Sequence, residues 1–456
     1  MKLLSILLLI IFCYCFVNIV YGIKQVHISL GTDETEMIVT WIKPNKHYYH
    51  SRFNASVYYG KSKTSLNQTV KAKSKYFKDG KTRYTTFRAL MTKLKPGTKY
   101  YYRIKLDSKK SSLFKFKTMK NDENFLPRFA IYGDLGYRNA KSMPYLKKDV
   151  HKNLIDVIFH IGDFAYDLNS KNGRIGHKFM KLIEPIASKV PYMTCPGNHE
   201  RHDNFSHYDS RFSMIGDRSQ PIHSDPINKR LNNHFHSMTI GPATIILFST
   251  EYYYYTKYGW QQIEHQYRWL EQELKLANEN RQKHPWIIVM GHRPFYCVKV
   301  VDRSCDNQTM ERKEIRQGIR MYDKGERHYG LEDLFFKYGV DIQFYGHEHL
   351  YARFFPIYKR KMYNGTKSNN PYDHPGAPIH ITTGSAGSVK SHPVSHQSDD
   401  WVTKYLEDYG YTRLMFEDKY HIRLQQISIN QHGKVMDEIE ILKSTPEPHW
   451  MNVVHQ

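Results

Sequence analysis

Cysteine is scarce in this chain, with five residues among 456. Cys13 and Cys15 lie in the apolar N-terminal segment, which leaves three cysteines for the rest of the protein. So few thiols argue against a cysteine-based zinc finger. Cys297 and Cys305 bracket a short polar loop and are expected to form a disulfide, whereas Cys195 lies in an apolar context and is expected to be a buried free thiol.

Long apolar runs are absent after the N-terminus. Residues 1–22 begin with Met1-Lys2, continue with an apolar run from Leu3 to about Phe16, and predict a cleaved secretory signal peptide. The alternative is an uncleaved signal anchor, although the run is near the lower limit for spanning a bilayer. We expect a soluble, secreted or lysosomal glycoprotein without a stable membrane anchor, whose sequons begin at Asn54, Asn67, Asn204, Asn307 and Asn364.

Blocks of basic charge are also absent, although the formal net charge is +23. Lysine and arginine are dispersed along the chain, and no nucleic-acid recognition module is evident. The sequence therefore predicts no nucleic-acid partner. A solvated basic surface that attracts small anionic substrates is the simpler interpretation of the charge.

What the sequence does contain is a series of glycine-containing motifs that follow apolar, strand-like runs. Four such runs cover residues 129–132, 157–161, 286–290 and 341–345, and a helix is predicted from residue 261 to residue 274. The alternation of strands and helices indicates an α/β domain. Side chains that directly follow parallel strands meet at one edge of a sheet, where open α/β sheets place their active sites.

These motifs supply hard oxygen and imidazole ligands. Taken singly, each has an ordinary explanation, such as a turn aspartate or a core histidine. Their ordered occurrence favours a two-metal site instead, and the donor set suits iron, zinc or manganese. The motifs are Gly133-Asp134-Leu135-Gly136, Gly162-Asp163-Phe164-Ala165-Tyr166, Gly197-Asn198-His199-Glu200, Gly291-His292 and Gly346-His347-Glu348-His349.

The series resembles that of the purple acid phosphatases, a branch of the metallophosphoesterases, over nearly the whole chain after the leader. Tyr166 is the most specific element. Generic metallophosphoesterases carry a histidine at the position of Gly136 and lack the tyrosine ligand. The resemblance implies a ferric ion and a divalent zinc, manganese or iron ion bridged by Asp163. The ferric ligands would be Asp134, Asp163, Tyr166 and His349, and the divalent ligands Asn198, His292 and His347.

The resemblance also implies a fold and an activity. The fold would be an α-β-β-α sandwich, with two sheets flanked by helices. The activity would be that of an acid phosphatase, which hydrolyses small-molecule phosphate monoesters by attack of a metal-activated hydroxide. Two alternatives stay open: a phosphodiesterase or pyrophosphatase on the same scaffold, and a non-catalytic secreted binding protein. A homodimer is also left open.

The general acid is a separate question. Plant-type members of the family carry further histidines shortly after the Gly-His motif, whereas this chain continues with arginine and no histidine over residues 293–298. His199 is the best remaining candidate, with His202 and His207 as further ones. Arg293 is expected either to contact substrate or to pair with a surface carboxylate. The four tyrosines at 252–255 are expected to pack at the domain joint rather than to line the substrate cleft.

The chain is long enough for two or more domains. Residues 23–120 contain alternating strand-like runs and turns, which resemble a fibronectin type III β-sandwich with Trp41 in its core. A short linker follows at 121–124. The catalytic domain is expected over 126–390, and residues 391–456 are expected to complete it with strands that extend the catalytic sheets.

Overall fold

The computed structural model describes residues 22–45, 53–122, 124–216, 231–258, 260–298, 304–306, 309, 311–320, 325–366, 369–389 and 400–453. The predicted signal peptide, with Cys13 and Cys15, lies outside these residues except for Gly22. Across the described ranges, no helix is long and apolar enough to cross a membrane.

The N-terminal domain consists of two antiparallel sheets. One has the strand order β1-β2-β6-β5, and in the other β3 lies between β4 and β7, with β8 and β9 both paired to β7. Trp41 is fully buried and stacks on Phe87 with ring centroids 5.3 Å apart, which confirms its predicted place in the core. The strands are β1 Lys24–Leu30, β2 Met37–Pro44, β3 Ala55–Gly60, β4 Gln68–Lys71, β5 Lys73–Asp79, β6 Thr82–Met91, β7 Lys99–Leu106, β8 Lys109–Lys110 and β9 Phe114–Lys117.

The remainder of the chain forms an α/β domain. Its strands are β10 Arg128–Tyr132, β11 Val157–Ile161, β12 Tyr192–Cys195, β13 His236–Ile240, β14 Ala243–Leu247, β15 Trp286–Met290, β16 Gly318–Arg320, β17 Arg327–Tyr329, β18 Ile342–Tyr345, β19 Tyr351–Phe354, β20 Ile357–Tyr358, β21 Lys361–Met362, β22 Ile379–Thr383, β23 Val402–Leu406, β24 Gly410–Phe416, β25 His421–Ser428 and β26 Lys434–Leu442. Its helices are α1 Met143–His151, α2 Arg174–Ala187, α3 Ser206–Arg211, α4 Gln261–Glu279, α5 Lys313–Arg316, α6 Leu331–Lys337 and α7 His449–Val453.

Two mixed sheets carry this domain. The first has the order β12-β11-β10-β24-β25-β26, in which β10, β11 and β12 are parallel and the C-terminal strands add on antiparallel. The second has the order β13-β14-β15-β18-β22-β19-β23, with β14, β15, β18 and β22 parallel. The two-stranded ribbons β16-β17 and β20-β21 lie outside both sheets.

Successive side chains on the strands of the second sheet point to opposite faces, and each face packs in a different core. Ile288 and Met290 belong to one core shared with the first sheet, whereas Ile287 and Val289 belong to another core that includes Leu270 of helix α4. A strand buried on both faces is a continuous apolar run, and this is why β10, β11, β15 and β18 were predictable. The α-β-β-α arrangement is therefore confirmed.

Polar contacts join the two domains. The buried Arg88 side chain of β6 donates to Ser213 Oγ at 2.7 Å and to the Asp209 and Phe212 carbonyls at 3.0 and 3.2 Å. Gln25 N–H donates to Glu184 Oε2 of helix α2 at 2.9 Å. The N-terminal sandwich and the first catalytic sheet also share one apolar core. The segment that follows β12 and begins at Asn198 therefore contacts the N-terminal sandwich as well as its own domain.

Candidate metal centre

The structure brings all seven predicted metal ligands together in loops. These loops follow the carboxyl ends of the parallel strands β10, β11, β12, β15 and β18. Four of the ligands have a left-handed backbone, with φ of 60° at Asp134, 53° at Asp163, 51° at Tyr166 and 69° at His347. Such angles are uncommon for residues other than glycine and cluster at functional sites. Sequence patterns gave no sign of them.

Asp134, Tyr166 and His349 form one side of the site. The Tyr166 hydroxyl donates to Asp134 Oδ1 at 2.9 Å and lies 2.9 Å from His349 Nε2. The other oxygen of Asp134, Oδ2, accepts from the His347 N–H at 2.8 Å, which fixes the carboxylate against the last motif. Asp134 is fully buried. This side thus combines a carboxylate, a phenol and an imidazole.

Asn198, His292 and His347 form the other side. Asn198 Oδ1 lies 3.1 Å from His292 Nε2 and 2.9 Å from His347 Nδ1. Asp163 stands beside them, since its Oδ1 is 3.4 Å from His292 Nε2. The ligand atoms of Asp163, His292 and His347 all lie within 4.8 Å of one another, close enough to hold a metal ion. Neutral donors therefore dominate this side.

The imidazoles are oriented by main-chain carbonyls. His292 Nδ1–H donates to the Ile161 carbonyl at 2.9 Å, and His349 Nδ1–H donates to the Val389 carbonyl at 3.1 Å. In both cases Nε2 is left facing the other ligands. Metal-binding histidines are typically fixed in this way, with the distal nitrogen held by an acceptor.

Glycines allow the motifs to approach one another. A Cβ atom on Gly197 would lie 2.3 Å from Asp163 Oδ1 and 2.9 Å from His292 Nε2. Gly162 has φ of 89°, and a Cβ there would lie 2.5 Å from His292 Nδ1. Any side chain at these positions would displace the ligands, so the glycine in each motif belongs to the site.

The electrostatics of the cluster favour added positive charge. Burial alone would lower the pKa of His292, yet Asp163 and Asp134 raise it to about 10. Burial raises the pKa of Tyr166 well above its ordinary value, and Asp134 and Asp163 raise it further, so its phenolate requires a nearby cation. The residues present therefore fit metal ions: a cation here would be neutralised by the carboxylates and would stabilise the phenolate.

His199 lies next to this cluster without joining the ligand set. Its N–H donates to Asp163 Oδ1 at 2.9 Å, its Nε2 is 3.8 Å from Asp163 Oδ2, and its Nδ1 is 2.5 Å from Asp167 Oδ1. Burial would lower the pKa of His199, but Asp163 and Asp167 raise it to about 9. The side chain is 30% exposed, so it can meet a ligand from solvent.

Three residues that support the site were missed by the sequence analysis. Asp167 fixes the His199 ring. Glu200 accepts from the N–H groups of Asp163, Phe164 and Gly197 at 2.8, 3.1 and 2.9 Å, and so holds two ligand loops together. Glu348 accepts from the Val298 N–H at 3.0 Å. The spacing from Gly197 to Glu200 is that of a capping box, and this spacing could have indicated the role of Glu200.

Arg293 pairs with a carboxylate, but a buried one rather than the surface carboxylate that was one of its two expected partners. Its Nε donates to both oxygens of Glu251 at 3.0 and 3.1 Å, and its Nη1 lies 3.2 Å from His347 Nε2. The guanidinium also stacks over Tyr254, 4.5 Å from the ring centroid. Tyr252, Tyr253 and Tyr254 pack in a core of the catalytic domain, whereas Tyr255 packs against the core that the two domains share.

The predictions for the three cysteines outside the leader are confirmed. Cys297 and Cys305 form the predicted disulfide, and Cys195 is a buried free thiol.

His202 and His207 contact Asp79 of the N-terminal domain instead of the metal ligands, so neither is placed to serve as the general acid. The helix α3 that carries His207 turns toward the sandwich and away from the ligand loops.

Comparisons with known proteins agree with this geometry. Residues 23–118 match the family model "Purple acid Phosphatase, N-terminal domain", residues 127–351 match "Calcineurin-like phosphoesterase", and residues 377–438 match "Iron/zinc purple acid phosphatase-like protein C". The chain is 40% identical to "Acid phosphatase type 7" of Homo sapiens over 92% of this chain and 91% of the relative. It is 41% identical to the protein of the same name from Danio rerio, over 96% and 95% of the two chains.

A solved structure shares the fold. A purple acid phosphatase from seeds of yellow lupin, Lupinus luteus, superimposes with a TM-score of 0.72 at 23% identity, over 92% of this chain and 74% of the lupin chain. The family models, the extended identity and the tyrosine-containing ligand set lead to one conclusion: the chain belongs to the purple acid phosphatase family of calcineurin-like phosphoesterases.

Proposed function

We propose that this protein is an acid phosphatase that hydrolyses small-molecule phosphate monoesters at a dinuclear metal centre. The observation that carries the proposal is the convergence of Tyr166 and six further ligands on one site. The Tyr166 hydroxyl lies 2.9 Å from both Asp134 Oδ1 and His349 Nε2. Burial, Asp134 and Asp163 raise its pKa, so a bound cation would be needed to stabilise its phenolate.

The donor chemistry supports a different ion on each side of the site. Asp134, Tyr166 and His349 would hold a ferric ion, because anionic oxygen donors stabilise the higher charge. Asn198, His292 and His347 would hold a divalent zinc, manganese or iron ion, and Asp163 would bridge the two. When bound, the pair of ions supplies Lewis-acid activation of the attacking water and neutralises the phosphoryl oxygens.

The protein itself positions the ester and its leaving group. A cavity of about 490 Å³ adjoins Tyr166 and His349 and is lined by Arg138 and Lys171, which can face an anionic substrate. His199, held by Asp167, would donate the proton that the departing alkoxide needs. Asp167 would act as the positioning residue for that donor.

The direct test combines metal analysis with absorption spectroscopy. The purified protein is expected to hold iron together with a second ion and to show a broad visible band from phenolate-to-iron charge transfer. Tyr166→Phe should remove that band. Tyr132→Phe is a control for the loss of a tyrosine hydroxyl, because Tyr132 is buried on strand β10 and donates to Tyr192 at 3.1 Å instead of contacting a candidate ligand. A colourless wild-type protein that contains stoichiometric iron would rule out the assignment of Tyr166.

Kinetics separate the alternatives. The monoesterase proposal expects a higher kcat/KM for a phosphate monoester than for a matched diester or pyrophosphate. A reversed preference would support the phosphodiesterase or pyrophosphatase alternative. Metal-loaded protein with no activity on any of these esters would instead support a non-catalytic binding protein.

We also propose a secretory route, either to the outside or to lysosomes, after removal of residues 1–22. The support is the apolar leader, the Cys297–Cys305 disulfide and the sequons. N-terminal sequencing of the protein recovered from culture medium or lysosomes should begin near Ile23. A mature chain that still begins at Met1 would contradict cleavage.

A further inference from the structure

A second group of metal-ligating side chains lies between the two domains. Asp79 is the last residue of β5, at the tip of the β5–β6 hairpin of the N-terminal sandwich. His202 and His207 come from the catalytic domain, in the segment that continues from Asn198 and His199. Both imidazoles direct Nε2 at the same oxygen, Asp79 Oδ2, at 3.1 Å from His202 and 2.8 Å from His207.

The spacing of these three atoms suits a single ion. All three ligand atoms lie within 4.8 Å of one another. Four-coordinate zinc with bonds of 2.0–2.2 Å requires ligand atoms about 3.3 Å apart, which a small adjustment of the two observed separations provides. Two imidazoles and one carboxylate, with water as the fourth ligand, form an ordinary zinc donor set.

His207 and Asp79 also have pKa values shifted in the direction that metal binding requires. Burial, together with the Arg211 charge, lowers the pKa of His207 to about 4, so its ring is neutral. Metal binding through Nε2 requires the tautomer that carries its proton on Nδ1. The hydrogen bond from His207 lowers the pKa of Asp79, which keeps the carboxylate charged. Neutral imidazoles and an ionised carboxylate are the forms that bind metal.

The backbone between the two histidines is shaped to present them together. Asp203, Asn204 and Phe205 are consecutive left-handed residues, with φ of 48°, 49° and 61°. Successive positive φ values at residues other than glycine are costly and persist only when the surrounding structure holds them. Here they reverse the chain so that His202 and His207 face the same hairpin tip.

We propose that Asp79, His202 and His207 form a third metal site, separate from the dinuclear centre, which binds Zn²⁺ and joins the N-terminal domain to the segment that carries Asn198 and His199. His207 Nδ1 is buried and has no hydrogen-bond partner among the described residues. A hydrogen-bond acceptor at the second ring nitrogen of a metal-binding histidine typically raises the metal affinity about 10–100-fold. The third ion is therefore exchangeable, and it is lost in dialysis against chelator before the buried pair.

Equilibrium dialysis of the full-length protein, with its dinuclear centre loaded, against buffers of defined free Zn²⁺ tests the site. Elemental analysis should find one more zinc per chain in the wild type than in His202→Ala or Asp79→Asn. His202 is 44% exposed, so its truncation is compatible with folding. Zn²⁺ should raise the unfolding temperature of the wild type and not of these two variants.

His234→Ala is the matched control. His234 Nε2 lies 3.2 Å from the Asp209 carboxylate, a histidine–aspartate pair that belongs to no group of three metal-ligating side chains among the described residues. This variant should keep the additional zinc. The visible band of the dinuclear centre should stay unchanged in every variant, since none of them removes a ligand of that centre.

Two results would overturn the proposal. Equal zinc content in the wild type, His202→Ala and Asp79→Asn at every free zinc concentration would leave the cluster as a hydrogen-bonded contact between domains. Loss of zinc that always accompanies loss of iron and of the visible band would show that the ion belongs to the dinuclear centre. Neither result depends on which phosphate ester the enzyme hydrolyses.

Discussion

The two sides of the candidate metal centre differ in the charge of their donors and in the exposure of His349 and His292. On one side, Asp134 and Tyr166 bring acidic oxygens, and His349 keeps 21% of its side chain exposed next to a loop carbonyl. On the other, the His292 side chain is fully buried and is fixed by a carbonyl of strand β11. Anionic donors suit a highly charged ion, whereas an amide and imidazoles suit a divalent one. Under the proposed assignment, donor charge distributed unevenly around a shared carboxylate would allow one fold to hold two unlike ions.

The largest expected effect comes from breaking both sides at once. Asp163→Asn should lose both ions and nearly all activity, because a neutral amide cannot bridge two cations. Elemental analysis and phosphatase assays measure the two consequences. Asp156→Asn is the control, because Asp156 directly precedes β11, at the end of the strand opposite to Asp163, and pairs with Arg128 at 3.0 Å. Retention of two tightly held ions by Asp163→Asn would contradict the bridging role.

His292→Ala breaks only the divalent side. We expect loss of the second ion and a fall in rate greater than the about 10²–10⁴-fold typical of losing a general acid, while the iron band persists. His284→Ala is the control, since His284 lies before the same strand β15 and donates from Nδ1 to the Gly241 carbonyl at 2.8 Å. Loss of iron together with the second ion would show that the sides are not independent.

His199→Ala should leave both sides intact. We expect it to retain both ions and to lose about 10²–10⁴-fold in rate on alkyl phosphates, because an alkoxide needs a proton to depart. The loss should be smaller on a nitrophenyl phosphate, whose leaving group needs little protonation. An equal loss on both substrates would make His199 a binding residue only.

Asp167→Asn should have the smallest effect and should act through His199. Asp167 raises the pKa of His199, and the proton-donating form is present below that pKa and lost as pH rises through it. Removing the charge should therefore move the alkaline limb of the kcat profile to lower pH, with a smaller loss of rate than His199→Ala. In the double variant, Asp167→Asn should add nothing. If the alkaline limb of the kcat profile did not shift in Asp167→Asn, Asp167 would not act through the pKa of His199.

Much of the fold followed from apolar runs. Strands β10, β11, β15 and β18 each lie within one residue of their predicted bounds, because burial on both faces demands an unbroken apolar segment. Helix α4 was predicted to end at residue 274 and continues to Glu279. Its last turns lack a strong stop signal, and packing against the second sheet decides where it ends.

The candidate site likewise has features that the sequence predicted and features that only the structure showed. The identity and order of the candidate ligands are in the sequence, because metal chemistry demands particular donor atoms and strand ends place them at one edge. The support of Asp163 by Glu200, of His199 by Asp167 and of Arg293 by Glu251 joins residues from different motifs. A carboxylate gives no sequence signal of which distant N–H group or ring it will hold.

The sequence by itself determined the α/β class and the order of the candidate donors, since these are encoded in local patterns of residue type and spacing. The family and the two-sheet architecture followed from the resemblance that those motifs carry. Only the tertiary structure decided the left-handed backbone at four ligands, the buried pairing of Arg293 and the meeting of Asp79 with His202 and His207. These features arise where segments more than 40 residues apart pack together. Their energies depend on burial and on neighbours that no local pattern specifies.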